Sequence, residues 1–323
     1  MTEIVQPLVT IGIPTYNRAD SYLKEALESA VSQTYPNIEI VVSDNCSTDH
    51  TEVYVRGFSD PRIRYFKQIQ NIPANDNFNF CLEQAKGDYF LLLHDDDMID
   101  EDFVEACIKA AGNNIDVGVI RTGMRRIDHH SQVFAESPNR AGGLSTEDFF
   151  VAWFKGETPL HLCATLFNTK KLKEIGGFNS KYQLFQDVLA HVQLAAKFGR
   201  VDIHDPKASF RQHASQNTKA AKVNNWCKDS LFLLDNMCDL VTNEKKEFIR
   251  HTGRRFFSAH NYRLASKIQS PVARFIAYFH IFRMFDYQYS PLHFFASQAL
   301  RRIRRAKGKV RQRLGGHIKQ AIA

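Results

Sequence analysis

Asp95, Asp96 and Asp97 stand side by side after the apolar run Leu91-Leu92-Leu93 and a histidine, His94. Adjacent carboxylates repel, and each raises the pKa of its neighbours unless a cation or good hydrogen bonds compensate. Hard oxygen donors of this kind suit magnesium or manganese, ions usually held by one or two carboxylates together with substrate phosphates. The same stretch also reads as a solvated acidic turn whose charge favours the N-terminus of a helix beginning near Glu101. Other polar residues stand out singly. Asp187, after Phe185-Gln186, opens an amphipathic run (Val188, Val192, Leu194, Ala195, Phe198) and has a plain explanation as a helix N-cap. His213 closes Arg211-Gln212-His213, where a lone histidine is more often structural than a ligand. His129 and His130 are neighbours at a hairpin tip and read as turn residues, because adjacent strand positions face opposite ways.

The elements that must position these groups alternate in type. Val9, Ile11 and Ile13 mark a strand from about Leu8, and Leu23, Ala26, Leu27, Ala30 and Val31 mark a helix capped by Asp20 or Ser21. Ile38 to Val42, Ile63 to Phe66 and Tyr89 to Leu93 read as further strands, with Asn77 to Ala85 as a helix. Strands spaced by amphipathic helices imply right-handed crossovers and a parallel sheet covered on both faces. The ligand crevice of such a sheet lies at the carboxyl ends of its strands. The loops Pro14 to Arg18, Ser43 to Asp49 and His94 to Asp97 all fall there and should converge. No glycine-rich phosphate loop follows the first strand, which counts against dinucleotide-binding oxidoreductases and P-loop enzymes. Beyond these come a strand at Val117 to Ile120, a hairpin over Arg125 to Val133, a helix near Thr146 to Phe154 and strands at Leu162 to Phe167 and Ala208 to Arg211. From about Ser215 the pattern becomes helical: Trp226 to Leu240, Lys245 to Lys267 and Pro271 to Met284. The expected organisation is therefore an α/β catalytic domain over 1–215 and an α-helical region over 216–323.

The chain has 323 residues and a net charge of +7, yet after Asp286 it has nine Lys or Arg residues and no acid. Without that run, 33 basic residues face 35 acidic ones. Phe294, Phe295, Leu300 and Ile303 beside the arginines give the pattern of a helix on an anionic membrane surface through residues 291–323. A solvated basic tail is the competing reading, and nucleic acid ranks below both, since no matching basic face or binding module is present. No stretch approaches the roughly 20 apolar residues of a spanning helix, and the N-terminus does not read as a signal peptide. The six cysteines show no metal-ligand spacing and read as reduced thiols. A cytoplasmic protein, with the inner face of the cell membrane as the tail's contact, is expected.

Taken together, Val9 to Arg18, Ser29-Ala30-Val31-Ser32-Gln33-Thr34-Tyr35-Pro36 and Ile40 to Asp49 resemble glycosyltransferase family 2, and Asn71, Ala85-Lys86-Gly87-Asp88-Tyr89 and His94-Asp95-Asp96-Asp97 continue the match in order. The resemblance covers roughly the first 215 residues. It implies the GT-A fold, with a mostly parallel sheet and flanking helices, a nucleotide-diphospho-sugar donor, a divalent metal (manganese or magnesium) and an inverting transfer to a hydroxyl of a glycan or lipid-linked acceptor, as in bacterial surface polysaccharide synthesis. By the same resemblance Pro14, Thr15, Tyr16, Arg18 and Asn71 flank the nucleotide, Asp44 reads the base, and Asp95 and Asp96 share ribose and metal contacts. Asp97, Asp95 and His213 serve the metal, and Asp187 is the catalytic base.

Three positions depart from the family pattern: His94 where many relatives have aspartate, Gln186 where they have glutamate, and Pro73 where glycine is usual. Without an acidic neighbour at position 186, Asp187 should be less raised in pKa. Two other classes stay open, a non-catalytic GT-A-like nucleotide-sugar-binding protein and a metal-dependent nucleotidyltransferase or nucleotide-sugar hydrolase. The latter lacks a basic triphosphate loop near the first strand.

Overall fold

The computed structural model describes residues 6–112, 116–213 and 222–300. Its first half follows the expected alternation: β1 (Val9–Thr15), α1 (Leu23–Val31), β2 (Ile38–Asp44), α2 (Thr51–Arg56), β3 (Ile63–Lys67), α3 (Ala74–Gln84) and β4 (Tyr89–Leu92). These strands pair in parallel in the order β3-β2-β1-β4. Alternation decides which face each residue serves: Tyr89, Leu91 and Leu93 enter one apolar core, Phe90 and Leu92 the other. Gly12 lets β1 pass close to its neighbours, since a Cβ there would sit 2.8 Å from the Phe90 ring and 2.9 Å from Cys81 Cβ. Glu39, within β2, accepts from Thr10 Oγ1 at 2.7 Å, the Lys86 amide at 2.7 Å and Arg64 Nη1 at 2.9 Å. Burial works to raise its pKa, but these donors hold the carboxyl below its ordinary value.

The second half closes the sheet differently. It comprises β5 (Met98–Ile99), α4 (Phe103–Ala111), β6 (Val119–Ile127), β7 (Val133–Ser137), α5 (Thr146–Lys155), a 3-10 turn at Leu162–Ala164, β8 (Thr165–Asn168), α6 (Thr169–Glu174), α7 (Gln186–Phe198) and β9 (Arg200–Arg211). Here β8 lies antiparallel between β4 and β6, β5 runs antiparallel to β9, β7 pairs antiparallel with β6, and only β6 and β9 are parallel. The hairpin turns at Asp128 to Gln132 as expected, with His129 and His130 exposed and the Asp128 carboxylate accepting from the His130 and Gln132 amides. The expected strand over Ala208 to Arg211 begins eight residues earlier, at Arg200. Three helices complete the described chain, α8 (Val223–Asp239), α9 (Asn243–Ala265) and α10 (Pro271–Met284), and residues 291–300 are helical. The boundary expected near Ser215 falls outside the described residues. The helices beyond it share one apolar core with α5 and α7: Phe149, Phe150, Phe185 and Leu189 pack in the same cluster as Trp226, Leu233 and Phe257.

Candidate active site

The three polar loops converge at the carboxyl ends of β1, β2 and β4, around a crevice of about 1010 Å³. Their contacts are direct. The Asn17 amide donates to Ser47 Oγ at 2.8 Å, the Thr48 amide donates to Asn17 Oδ1 at 2.8 Å, and Arg18 Nε lies 3.9 Å from Asp95 Oδ2. Asn17 takes a left-handed conformation, φ 52°, which its short polar side chain tolerates well. Pro14, Thr15, Tyr16, Arg18, Asn71, Asp95, Asp96, Asp187 and His213, all expected at the site, line this crevice.

Two expected residues do not line it. Asp44 lies at the end of β2, but its carboxylate is fully buried and accepts from the Ser47 amide and the Tyr65 hydroxyl, so it shapes the loop from beneath. To read a base it would have to exchange one of those donors. Asp97 is only 1 % exposed and lies behind Asp96, its Oδ1 accepting from the Arg211 amide at 2.9 Å.

The aspartates owe their setting to the two-residue strand that follows them. Met98 and Ile99 pair with Ser209 and Ala208 of β9, and that register carries Arg211 and His213 to positions beside the carboxylates. His213 Nε2 lies 2.8 Å from Asp96 Oδ2. Arg211 is fully buried: its guanidinium donates to the Asp96 and Asp128 carbonyls, Ser131 Oγ and Glu25 Oε2, and stacks 4.2 Å from the Tyr22 ring centre. One side chain thus fastens the acidic loop, the hairpin tip and α1 together.

Crowded charge shows in the site's titration. Burial and neighbouring Asp96 push Asp95 up to about 6, against the pull of the Thr15 hydroxyl, Arg18 and His94. Burial also raises Asp97, while His94 and the Arg211 amide oppose it. For His94, burial alone would lower the pKa, but Asp97, 3.7 Å from Nδ1, and the two further aspartates carry it up to about 9, so the ring is an imidazolium at neutral pH. The site fits a hard divalent cation: ligand atoms of His94, Asp96 and Asp97 lie within 4.8 Å of one another, and the donors are mainly carboxylate oxygens. Around the crevice, buried His94 Nε2, Asn75 Oδ1 and Gln186 Oε1 have no hydrogen-bond partner among the described residues. Buried polar atoms are normally satisfied, so such a cluster in one cleft marks a place where ligand or water completes the bonding.

Asp187 lines the same crevice, in the first turn of α7. It is not the N-cap: Phe185 takes that position, and no side chain caps the helix. Its pKa is raised, chiefly by burial, with the Val188 amide and His94 pulling the other way. The expectation of a smaller rise considered only the missing neighbour at Gln186, whereas desolvation supplies the shift here. α1 likewise starts without a side-chain cap, with Tyr22 rather than Asp20 or Ser21 at the cap position.

The segment before Asp187 is anchored by a residue that sequence reasoning passed over. Asp229 of α8 is fully buried and accepts from Ser180 Oγ and the amides of Tyr182, Leu184 and Phe185. The signal was an acid on the stripe Trp226, Ser230, Leu233 and Met237, the buried side of an amphipathic helix. One turn beyond Asp187, buried His191 donates from Nδ1 to the Asp187 carbonyl oxygen at 2.7 Å and sets Nε2 2.8 Å from the Thr165 hydroxyl. Burial, with Arg121 nearby, pushes its pKa down to about 3. Its folded pKa lies below the unfolded value of about 6.5, so unfolded chains take up the proton first and stability is lost as pH falls through that window. Lowering the pH from about 7.5 to 5.5 should cost on the order of 1 kcal/mol through this group. His191→Gln should flatten that slope in urea titrations, and an unchanged slope would remove His191 as its source.

The chain belongs to glycosyl transferase family 2, whose model matches residues 10–176. Among its relatives is an uncharacterized glycosyltransferase of Rickettsia typhi, 32% identical over 224 residues, or 67% of each chain. Two solved structures have the same fold. Staphylococcus aureus TarS in complex with UDP-GlcNAc superposes with a TM-score of 0.68 at 16% identity, over 87% of this chain and 84% of that one. The mannosyltransferase PcManGT of Pyrobaculum calidifontis in complex with GDP-Man and Mn2+ gives 0.54 at 19% identity, over 84% and 79%. The GT-A fold, with its C-terminal helices, is thereby established.

Proposed function

We propose that the chain is a metal-dependent, inverting glycosyltransferase that moves a sugar from a nucleotide-diphospho-sugar to a hydroxyl of a glycan or lipid-linked acceptor in surface polysaccharide synthesis. The observation that carries this reading is the crevice itself, whose lining brings together Pro14, Thr15, Tyr16, Arg18 and Asn71, the carboxylates of Asp95 and Asp96, and Asp187. The donor complexes of TarS and PcManGT, one with Mn2+, support the donor class and the metal.

In this reading Pro14, Thr15, Tyr16, Arg18 and Asn71 flank the nucleotide, and Asp44 holds the adjoining loop or reads the base by releasing Tyr65. Asp97, Asp95 and His213, joined by crevice-facing Asp96, hold manganese or magnesium. Such an ion acts as a Lewis acid on the departing diphosphate. Asp187 accepts the acceptor hydroxyl's proton as that oxygen attacks the anomeric carbon from the face opposite the leaving diphosphate, which inverts the configuration. Its pKa, raised by burial, makes it a stronger base than a solvated aspartate. His94, as an imidazolium, holds Asp97 and limits charge build-up on the rim. The basic run from Arg301, outside the described residues, is read as a contact with an anionic membrane, where a lipid-linked acceptor would be met. Among the described residues no helix is long and apolar enough to cross a bilayer.

A thermal-shift series with nucleoside diphosphates and nucleotide sugars, with and without manganese, tests the reading. Ligand at about 100 times its Kd should stabilise the protein by about 2.7 kcal/mol, with an extra manganese-dependent increment that Asp96→Asn removes. Stabilisation by no nucleotide would overturn the donor assignment. Release of free sugar without an acceptor conjugate would instead assign a hydrolase.

A further inference from the structure

Helix α10 presents two unlike faces. Ile281 is fully buried in the core and Tyr278 packs against Tyr262, whereas Val272, Phe275, Ile276 and Phe279 are 70%, 72%, 61% and 56% exposed. Their spacing of i, i+3, i+4 and i+7 puts these four on one stripe of the helix. The helical residues 291–300 lie alongside, because Phe295 packs against Tyr278 with ring centres 5.4 Å apart. They add Leu292, 81% exposed, and Phe295, 45% exposed. Single exposed apolar residues are ordinary, but two adjacent helices with large apolar side chains turned outward mark an interaction surface.

Charge selects the partner. Residues 271–323 contain eleven Lys or Arg and a single acid, Asp286, whose carboxylate is ion-paired with Arg254. The remaining 270 residues carry 31 basic against 34 acidic side chains. Two copies meeting through this face would bring two strongly cationic segments together, whereas an anionic bilayer would neutralise them. An apolar face beside a polybasic run supplies the two signals that stable peripheral binding requires.

We infer that the exposed face of α10, with Leu292 and Phe295 of the following helix, is a membrane-docking surface that inserts into the headgroup region of an anionic bilayer. The inference deepens the proposed reading of the basic run: the charges attract the chain to the surface, and Phe275, Ile276 and Phe279 hold it there by burying apolar area. Binding therefore has a component that salt does not screen.

The test is flotation of the full chain with phosphatidylcholine vesicles containing or lacking phosphatidylglycerol, for the wild type and Phe275→Ser/Phe279→Ser. These side chains are exposed, so the double variant should fold normally, which an unchanged thermal unfolding midpoint without ligand would verify. The wild type should float with anionic vesicles and keep part of its binding at about 0.5 M salt. The double variant should bind at least about tenfold more weakly and lose the salt-resistant part. Equal binding by the two proteins, or equal binding to neutral vesicles, would overturn the inference. So would a concentration-dependent dimer of the wild type that the double variant abolishes, which would give the face to a second copy. None of these results depends on sugar transfer, and failure of donor binding in the thermal-shift series would leave them standing.

Discussion

Asp187→Asn should lower kcat by about 10²- to 10⁴-fold, the usual contribution of a positioned general base, while leaving donor affinity unchanged. Asparagine has the same shape, so the crevice wall and the first turn of α7 should persist. The negative charge lost at the helix N-terminus costs only about 0.3–1 kcal/mol. What disappears is the carboxylate proposed to take a proton from the acceptor hydroxyl, and neighbouring Gln186 has no basic oxygen to replace it. Nucleoside diphosphate release measured with acceptor present, beside calorimetric titration of the nucleotide, separates the two quantities. Near wild-type turnover in Asp187→Asn would remove Asp187 from the chemistry.

Arg211→Met should be strongly destabilising. The guanidinium is fully buried and joins three elements through the Asp96 carbonyl, the hairpin tip at Asp128 and Ser131, and Glu25 of α1. Methionine fills similar space but leaves two carbonyls and a carboxylate without their donor. Removing one partner of a buried ion pair costs about 3–5 kcal/mol, and because Glu25 is 35% exposed and keeps the Ser131 hydroxyl, the loss here should fall at or below the lower end of that range. Arg211→Lys should rescue little, because a single ammonium cannot reproduce the planar fork that reaches several acceptors at once. Protein that still folds should lose manganese-dependent nucleotide binding, since the guanidinium that fastens the acidic loop to the hairpin tip and α1 would be gone. Urea denaturation and nucleotide titration at low temperature check the two parts. Wild-type stability in Arg211→Met would show that the loop is held by the β5–β9 pairing alone.

Local periodicity made much of this molecule legible. The alternation of Val9, Ile11 and Ile13, the helical spacing of Leu23 to Ala30 and the run into Asp95 place four strands and the convergence of their loops without any tertiary information. The same holds for the turn at His129-His130 and for α8 to α10, whose patterns are strong and uninterrupted. What escaped depends on partners distant in sequence. A two-residue strand at Met98–Ile99 has no period to read, and it exists because β9 supplies its hydrogen bonds. The start of β9, Arg-Val-Asp-Ile-His-Asp-Pro-Lys, carries charges and a proline that argue against a strand, yet it pairs along β6 with register shifts around Gly123. The inward turn of Asp44 toward Tyr65, and the grip of Asp229 on the segment before α7, join residues 21 and 44 to 49 positions apart. Nothing in the spacing of those residues announces either contact.

The four hydrogen bonds that Asp229 accepts bear on how the two regions of the chain divide responsibility. Its carboxylate gathers Ser180, Tyr182, Leu184 and Phe185 into the approach to Asp187, while Pro14, Thr15, Asn45, Asn75 and Asp95 of the crevice lining come from the N-terminal strands, the loops that follow them and α3. The half of the site that would hold a nucleotide therefore rests on the N-terminal strands and on β9, and the approach to the residue that would deprotonate an acceptor is anchored by a C-terminal helix. A disturbance of those helices, whether by substitution in their core or by whatever docks on α10, would reach the proton-accepting wall before it reached the nucleotide floor.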